Sequence, residues 1–173
     1  MAESPAERDL NHAVRLRPWQ AADAEALAAA WNDPDIAAGS QPPDDRSVAA
    51  AGRWIAGCAE REHRLLAIDR VIDVAGTCVG EVGLANIDQR RGAALIGWWV
   101  AADHRGRGHA TAGVQAMVAL AFSDHELRAI VAEIGIDNVA SIRVAERAGF
   151  EMLRPGTPDR PHAYVLRHGG SSE

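Results

Sequence analysis

The chain contains no lysine, against eighteen arginines in 173 residues. A codon bias toward G and C produces such a ratio, and it leaves no lysine side chain of its own to modify. Cysteine is scarce too. Cys58 and Cys78 fall in an expected helix and an expected strand, so they read as buried thiols rather than a disulfide. Neither sits in a nucleophile motif, and no Cys/His spacing suggests zinc. No apolar stretch approaches the length of a membrane span. The early acids Glu3, Glu7 and Asp9 do not fit a secretory leader, so the expected compartment is the cytoplasm. An excess of positive charge is also lacking. The net charge of −6 argues against a basic stripe for nucleic acid. No internal repeat is visible, and the length suits one domain with its own core.

What the chain does contain is a dense local signal at residues 100–111, Val-Ala-Ala-Asp-His-Arg-Gly-Arg-Gly-His-Ala-Thr. It begins at the end of an apolar run, 95–100. It ends where Ala110, Val114, Met117, Val118 and Ala121 recur at helical spacing. A tight turn at a helix start aims backbone N–H groups at one point, at the positive end of the helix dipole. Gly106 and Gly108 carry no side chain to block a phosphate, and Arg105 and Arg107 can add charge-assisted hydrogen bonds. The expected ligand is a phosphorylated cofactor. Neither Gly-x-x-x-x-Gly-Lys-Ser/Thr nor Gly-x-Gly-x-x-Gly occurs here. The alternative reading is an ordinary strand-to-helix turn, and His104 and His109 within it are expected to face solvent.

The rest of the pattern is a mixed α/β sheet covered by helices on both faces. Strands are expected at 13–17, 64–70, 77–87, 95–100, 129–136, 150–153 and 162–167. Helices are expected at 21–31 and at 46–60, the second capped by Asp44 or Asp45. A third runs from the turn to about residue 122, and a fourth fills 138–148. Residues 39–43 read as a loop, 1–12 as a loose N-terminal segment, and 168–173 as a disordered tail. In the fourth helix Asp137 or Asn138 can cap, and Gly149 is a left-handed stop.

Two segments together carry a resemblance. Arg105-x-x-Gly108-x-Ala110 resembles the pyrophosphate-binding turn of the GNAT superfamily of acyl-CoA N-acyltransferases. Residues 138–150, Asn-Val-Ala-Ser-Ile-Arg-Val-Ala-Glu-Arg-Ala-Gly-Phe, resemble the Asn-x-x-Ser helix and closing Gly-Phe of one branch. That branch contains the ribosomal-protein N-terminal alanine and serine acetyltransferases. Trp31-Asn32-Asp33-Pro34-Asp35, Leu66-Ala67-Ile68-Asp69 and Val79-Gly80-Glu81-Val82-Gly83-Leu84 also match it, so the resemblance spans roughly residues 13 to 166.

It implies a single GNAT-like domain over 13–167, α/β (α+β) in class, with a central mixed, mostly antiparallel sheet and a V-shaped splay. It further implies acetyl-CoA or CoA as cosubstrate without a metal, and direct transfer to an amine acceptor. The cofactor would lie against Trp98, Trp99, Val100 and Ala102, the turn residues Arg105, Gly106, Arg107, Gly108, His109, Ala110 and Thr111, and Asn138 and Ser141. Arg143 and Arg147, one turn apart, would face a CoA phosphate, or else form a solvated salt-bridged face with Glu146.

Direct transfer needs a base, an oxyanion donor and an acid for the thiolate. The superfamily's usual tyrosine position, seven residues after the asparagine, is Ala145 here. The acid candidates are therefore Ser141, by resemblance, and Tyr164, the only tyrosine; each has a structural alternative. The carboxylate some lysine acetyltransferases carry would fall on Ala94. Glu81, within an apolar strand, is the base candidate, and a paired structural glutamate is its alternative. Glu133 and a water relay follow it. Trp98 and Trp99 cannot share one face of a strand, so one should be core and the other should line the gap. Trp31 and Trp54 are expected mostly in the core, with contact to the acceptor as their alternative.

An α-amine, with a pKa near ~8, suits a site without a strong base better than a lysine at ~10.4. The expected acceptor is a peptide or protein N-terminus, and the alternative a small-molecule amine or antibiotic. A reading of another class is a non-catalytic acyl-CoA-binding module. Specificity is expected in loops 39–43 and 156–161, and the protein as monomer or homodimer.

Overall fold

A computed structural model describes residues 14–169. The expected loose segment at 1–12, the first residue of the first strand, and 170–173 of the expected tail lie outside the described residues; the tail's first residue is not disordered, since the His168 N–H bonds the Arg128 carbonyl and its ring lies against Phe122.

Alternation builds the centre. Strand β2 (Ala67–Val74) turns Ile68 and Ile72 to one face and Val71 to the other. Strand β3 (Thr77–Asp88) sends Val82 and Leu84 to the first face and Glu81 and Gly83 to the second. Strand β4 (Ala93–Val100) sends Ala94, Ile96 and Trp98 to the first face and Trp99 to the second. A β-bulge opposite Ile72 and Asp73 inserts Val79 as an extra residue and turns it into the core.

With β1 (Val14–Arg17), β5 (Ala129–Ile134), β6 (Glu151–Arg154) and β7 (His162–Arg167), these strands form one seven-stranded sheet in the order β1-β2-β3-β4-β5-β7-β6. All pairs are antiparallel except β4 with β5. A parallel pair needs a long crossover, and helix α5 (His109–Asp124) supplies it. Its Val114, Met117, Val118 and Ala121 cover the first face. It lies so close that a Cβ on Gly113 would come 2.8 Å from Ile72 Cδ1. Helix α6 (Val139–Arg147) adds Ala145 to that core. The second face carries helices α1 (Ala24–Asn32), α2 (Pro34–Ser40), α3 (Val48–Ala56) and α4 (Cys58–His63), with Trp19, Leu27, Trp31, Ala51 and Ile55 packed over Val71. The expected sheet with helices on both faces is therefore present.

The element boundaries correct the sequence reading in several places. The helix at 21–31 begins as a 3-10 turn, Ala21–Asp23. Residues 39–40 are not loop but the end of α2, which starts because Asp33 caps it and Pro34 occupies its first position. The helix at 46–60 is two helices broken at Gly57, and its cap is Ser47, whose hydroxyl accepts from the Ala50 N–H at 3.1 Å. Strand β2 starts at Ala67 rather than 64, because α4 runs on to His63. Phe150 is a buried core residue just before β6 rather than its start.

One ionic cluster fixes the sheet's outer strand. Arg17 on β1 donates from Nε to Asp73 at 2.7 Å and from Nη1 to Asp23 at 2.7 Å, and both carboxylates are nearly buried. Hydrogen bonding from Arg17 holds Asp23 below the ordinary aspartate range. Burial raises Asp73, but Arg17, the Gly76 N–H and Arg15 outweigh it and leave Asp73 low as well. Arg17→Ala is expected to cost about 3–5 kcal/mol, since it strands two buried carboxylates. Denaturant unfolding measures it, and a loss under about 1 kcal/mol would contradict the role. Low native pKa values stabilise above the ordinary value of 3.8 and lose that contribution as pH falls below it. The acid-side fall in stability should therefore shrink in the variant.

Candidate functional site

The site starts from a failure of pairing. Strands β4 and β5 are in register only from Ala93 with Ala129 to Leu95 with Val131. Beyond that they diverge. Residues 96–100 keep their bonds to β3 on one side, where Gly80 to Gly83 face Val100 to Gly97, and present a free backbone edge on the other.

That edge leads into the glycine-rich turn. After β4, a 3-10 turn (Ala102–His104) and Arg105 bring the chain to α5. Gly106 (φ +74°) and Gly108 (φ +81°) both take left-handed backbone, which favours glycine. Helix α5 has no side-chain cap and no acid in its first turn. Its leading N–H groups thus remain available to an anion. Arg107 is exposed beside them, whereas Arg105 is committed elsewhere. Its Nε donates to the Val100 carbonyl at 3.0 Å, Nη1 to Asp35 at 3.0 Å and Nη2 to Asp33 at 3.1 Å. Arg105 thereby ties the turn to the α1–α2 junction. His109 is buried, 7 % exposed, contrary to expectation. It shares the helical stripe of Gly113, Met117 and Ala121, the side α5 lays on the sheet.

Across the splay, α6 is closed at its start. Asn138 is its cap, and Asn138 Oδ1 accepts from the Ser141 N–H at 3.0 Å. This cap uses the Ser141 backbone and leaves its half-buried hydroxyl out. Arg143 and Arg147 are exposed, and neither forms an ion pair among the described residues.

The carboxylate lies on the second face. Glu81 sits between Val71 and Trp99 in the sheet and accepts from Trp99 Nε1 at 3.2 Å. Trp98 packs instead against the first-face core, so the two indoles divide as alternation requires. Beside Glu81, Asp69, Gly83 and Gly97 align across three strands. Gly83 and Gly97 leave a side-chain-free floor from the free edge of β4 to the carboxylate. Burial pushes Glu81 up to about 8; Asp69 adds to this, and the Trp99 hydrogen bond and Arg61 oppose it. The Cys58 and Cys78 thiols are separate and free, and burial raises them to about 12 and about 11.

The other candidates lie apart from this group. Glu133 is exposed on β5. Tyr164 on β7 is 2 % exposed and packed in the first-face core, and burial raises its pKa. Trp31 is core, and Trp54 packs at its margin. Near Trp99 a pocket of about 200 Å³ opens against α1 and α2, walled by Ala26, Ala29, Ala30, Ile36 and Cys78 with Asp33 among its lining. Among the described residues, no group of three or more His, Cys, Asp or Glu could hold a metal ion, and no helix is long and apolar enough to cross a membrane.

A splayed sheet, an uncapped helix turn at its mouth and an acidic group beside it define an acyltransferase-like scaffold. A family model described as an Acetyltransferase (GNAT) domain matches residues 13–151, and the chain belongs to that family as an N-acetyltransferase. A protein of Bacillus licheniformis named "Uncharacterized N-acetyltransferase p20" is 26% identical over 140 residues, 80% of this chain and 79% of its own. The ribosomal-protein-S5-alanine acetyltransferase from Vibrio fischeri superposes with a TM-score of 0.79 at 16% identity, over 92% of this chain and 96% of that one. The aminoglycoside acetyltransferase AAC(6')-Ib, crystallised with coenzyme A, superposes with a TM-score of 0.73 at 23% identity, over 90% and 95%. At these identities the two structures show the shared fold.

Sequence reasoning missed Asp69 and Arg61 beside Glu81, and Asp33 and Asp35 on Arg105. The one available signal was an aspartate inside an apolar strand pattern. A raised carboxylate has a stability signature. Between about 4.5, the ordinary glutamate value, and about 8, native Glu81 holds a proton the unfolded chain has released. Stability should therefore fall as pH rises through that window. Glu81→Gln is expected to remove this slope in denaturant unfolding at about pH 5, 6.5 and 8. Parallel profiles for variant and wild type would mark Glu81 as an ordinary carboxylate.

Proposed function

We propose that this acetyltransferase moves acetyl from acetyl-CoA directly to the α-amine of a peptide or protein N-terminus, with Glu81 as the base. The observation that carries the reading is the Glu81 carboxylate, held by Trp99 at the end of the Gly97–Gly83 floor with its pKa at about 8. A general base works best with a pKa near the working pH, and it takes a proton at least cost from a group whose pKa does not exceed its own. An α-amine at ~8 meets that condition, whereas a lysine at ~10.4 needs roughly 3 kcal/mol more.

The residues present fit the cosubstrate. Acetyl-CoA supplies an activated thioester. The uncapped first turn of α5, with Gly106, Gly108 and Arg107, would hold its pyrophosphate. The free edge of β4 from Trp98 to Val100 would bond the pantetheine amides as an added strand does. Ser141 donates to the departing thiolate, and Asn138 holds the α6 turn that presents it. Tyr164, enclosed in the core, gives way to Ser141 in the acid role. In its ionised form, populated as pH nears about 8, Glu81 takes the ammonium proton, which frees the amine lone pair for attack. The small alanine-lined pocket beside Trp99 suits a short side chain near the acceptor amine. A small-molecule amine is the second reading, favoured by the likeness to AAC(6')-Ib.

Gly108→Asp places a carboxylate where the anion belongs, in backbone that resists a Cβ, and is expected to abolish acetyl-CoA binding in calorimetry. Unchanged affinity in a folded variant would remove the turn from the site.

Ser141→Ala is expected to lower turnover about 10²–10³-fold with little change in acetyl-CoA affinity. Glu81→Gln is expected to lose most activity near neutrality and regain part at high pH, where solution deprotonates the amine. A damaged fold would show no such recovery. Glu81→Gln with wild-type rates throughout would contradict the assignment.

A further inference from the structure

The reaction as proposed uses one carboxylate, yet the second face carries two. Asp69 on β2 pairs with Gly83 on β3, and Glu81 stands two residues before that glycine. The two acids are thus diagonal neighbours on one face of adjacent antiparallel strands, within reach of each other. Gly83 shows how close they come. A Cβ there would meet Asp69 Oδ1 at 2.9 Å and Glu81 Oε1 at 3.6 Å. Both oxygens converge over the same bare backbone, where any larger residue would collide with the aspartate.

Asp69 is not loose. Its side chain is 11 % exposed, and Arg61 Nη2 donates to Asp69 Oδ2 at 3.4 Å. Arg61 is itself fixed by a stack over the Trp54 ring, 4.4 Å to the centroid, and by hydrogen bonds to the Trp54 carbonyl at 3.2 Å and Cys58 Sγ at 3.0 Å. Helices α3 and α4 therefore hold a cation against the far oxygen of Asp69, while its near oxygen leans over Gly83 toward Glu81.

We propose that Asp69 is a positioning residue for Glu81: anchored by Arg61 and brought over Gly83, its negative charge adds to the proton affinity of the base. The inference rests on Glu81 as base. With Asp69 ionised, an ionised Glu81 faces a like charge in a half-buried site. Taking the acceptor's proton neutralises Glu81 and relieves that contact. Arg61 acts in the opposite sense, since it attracts both carboxylates; on Asp69 burial outweighs it and leaves that carboxyl above the ordinary aspartate range. The remaining groups facing Glu81 are the Cys58 thiol of α4, the Cys78 thiol of β3 and the Trp99 N–H of β4. The thiols stay neutral across the working range, and α3 presents the uncharged Trp54, while its Arg53 is exposed and paired with Asp45. Among the described residues, the charges that act on Glu81 are Asp69 and Arg61, and Arg70 and Glu62 act in turn on Asp69.

The test is the pH profile of kcat/KM for the full chain, with acetyl-CoA and an amine acceptor it acetylates, for wild type, Asp69→Asn, Arg61→Gln and Glu81→Gln. Circular dichroism and acetyl-CoA affinity establish that each variant is folded. Asp69→Asn is expected to move the acid limb about one unit lower, and Arg61→Gln to move it higher. Loss of packing alone would not shift the limb in opposite directions. An unmoved limb in Asp69→Asn, with Glu81→Gln impaired and rescued by alkali, overturns the role of Asp69 and leaves Glu81 as base. Should Asp69→Asn fail to fold, an unmoved limb in Arg61→Gln overturns it equally. A wild-type profile in Glu81→Gln overturns the base itself, and this inference with it.

Discussion

The short register between β4 and β5 governs this molecule. Three residue pairs hold two halves of the sheet together, from Ala93 with Ala129 to Leu95 with Val131, and then the strands part. A buried sheet does not leave backbone unpaired without cause. Here the free edge of β4 opens between helices of both faces, and each element of the candidate site is placed relative to it. The α5 turn stands at its outer end. The capped start of α6 stands across the gap. Gly97, on the open strand, begins the floor that reaches Glu81. Longer pairing would close the cleft without altering one site residue.

The two faces then divide the labour. The first face is a dry core, where α5 and α6 cover Ile68, Ile72, Leu84 and Ile96. It makes the crossover rigid and holds the glycine-rich turn. The second face mixes indoles with charge. Trp19, Trp31, Trp54 and Trp99 pack edge to face or tilted, with ring centroids about 6 Å apart. Within that apolar setting sit Glu81, Asp69 and Arg61. The low polarity that burial imposes raises the proton affinity of Glu81 and strengthens its response to neighbouring charge. Arg105 joins the two regions, because it links the α5 turn to the Asp33 cap of α2.

Local features of this arrangement were legible in the sequence. The turn announced itself through Gly106, Gly108 and the following helical stripe, and α6 through Asn138 and Gly149. Alternation separated Trp98 from Trp99. What the sequence withheld depends on register. Nothing in the letters places Asp69 opposite Gly83, because a bulge at Val79 and the turn at Ala75 and Gly76 set that pairing. A slip of one residue would turn the acids to opposite faces. Helix α2 was missed although Asp33-Pro34 carried a start signal, since Gly39 and Pro42 dominated the reading of that segment. His109 looked exposed because a glycine-rich turn suggests solvent. Its stripe, four residues at a time to Met117, put it inside.

The central claim is that this site transfers acetyl to an α-amine. Its most direct test measures thiol release from acetyl-CoA in three arms, a panel of N-terminal peptides, a panel of small amines including aminoglycosides, and no acceptor. Mass spectrometry locates the acetyl group on the product. The account predicts release that depends on peptide and an acetyl group on the peptide's first nitrogen. Release confined to small amines, or the same with and without any amine, would contradict it.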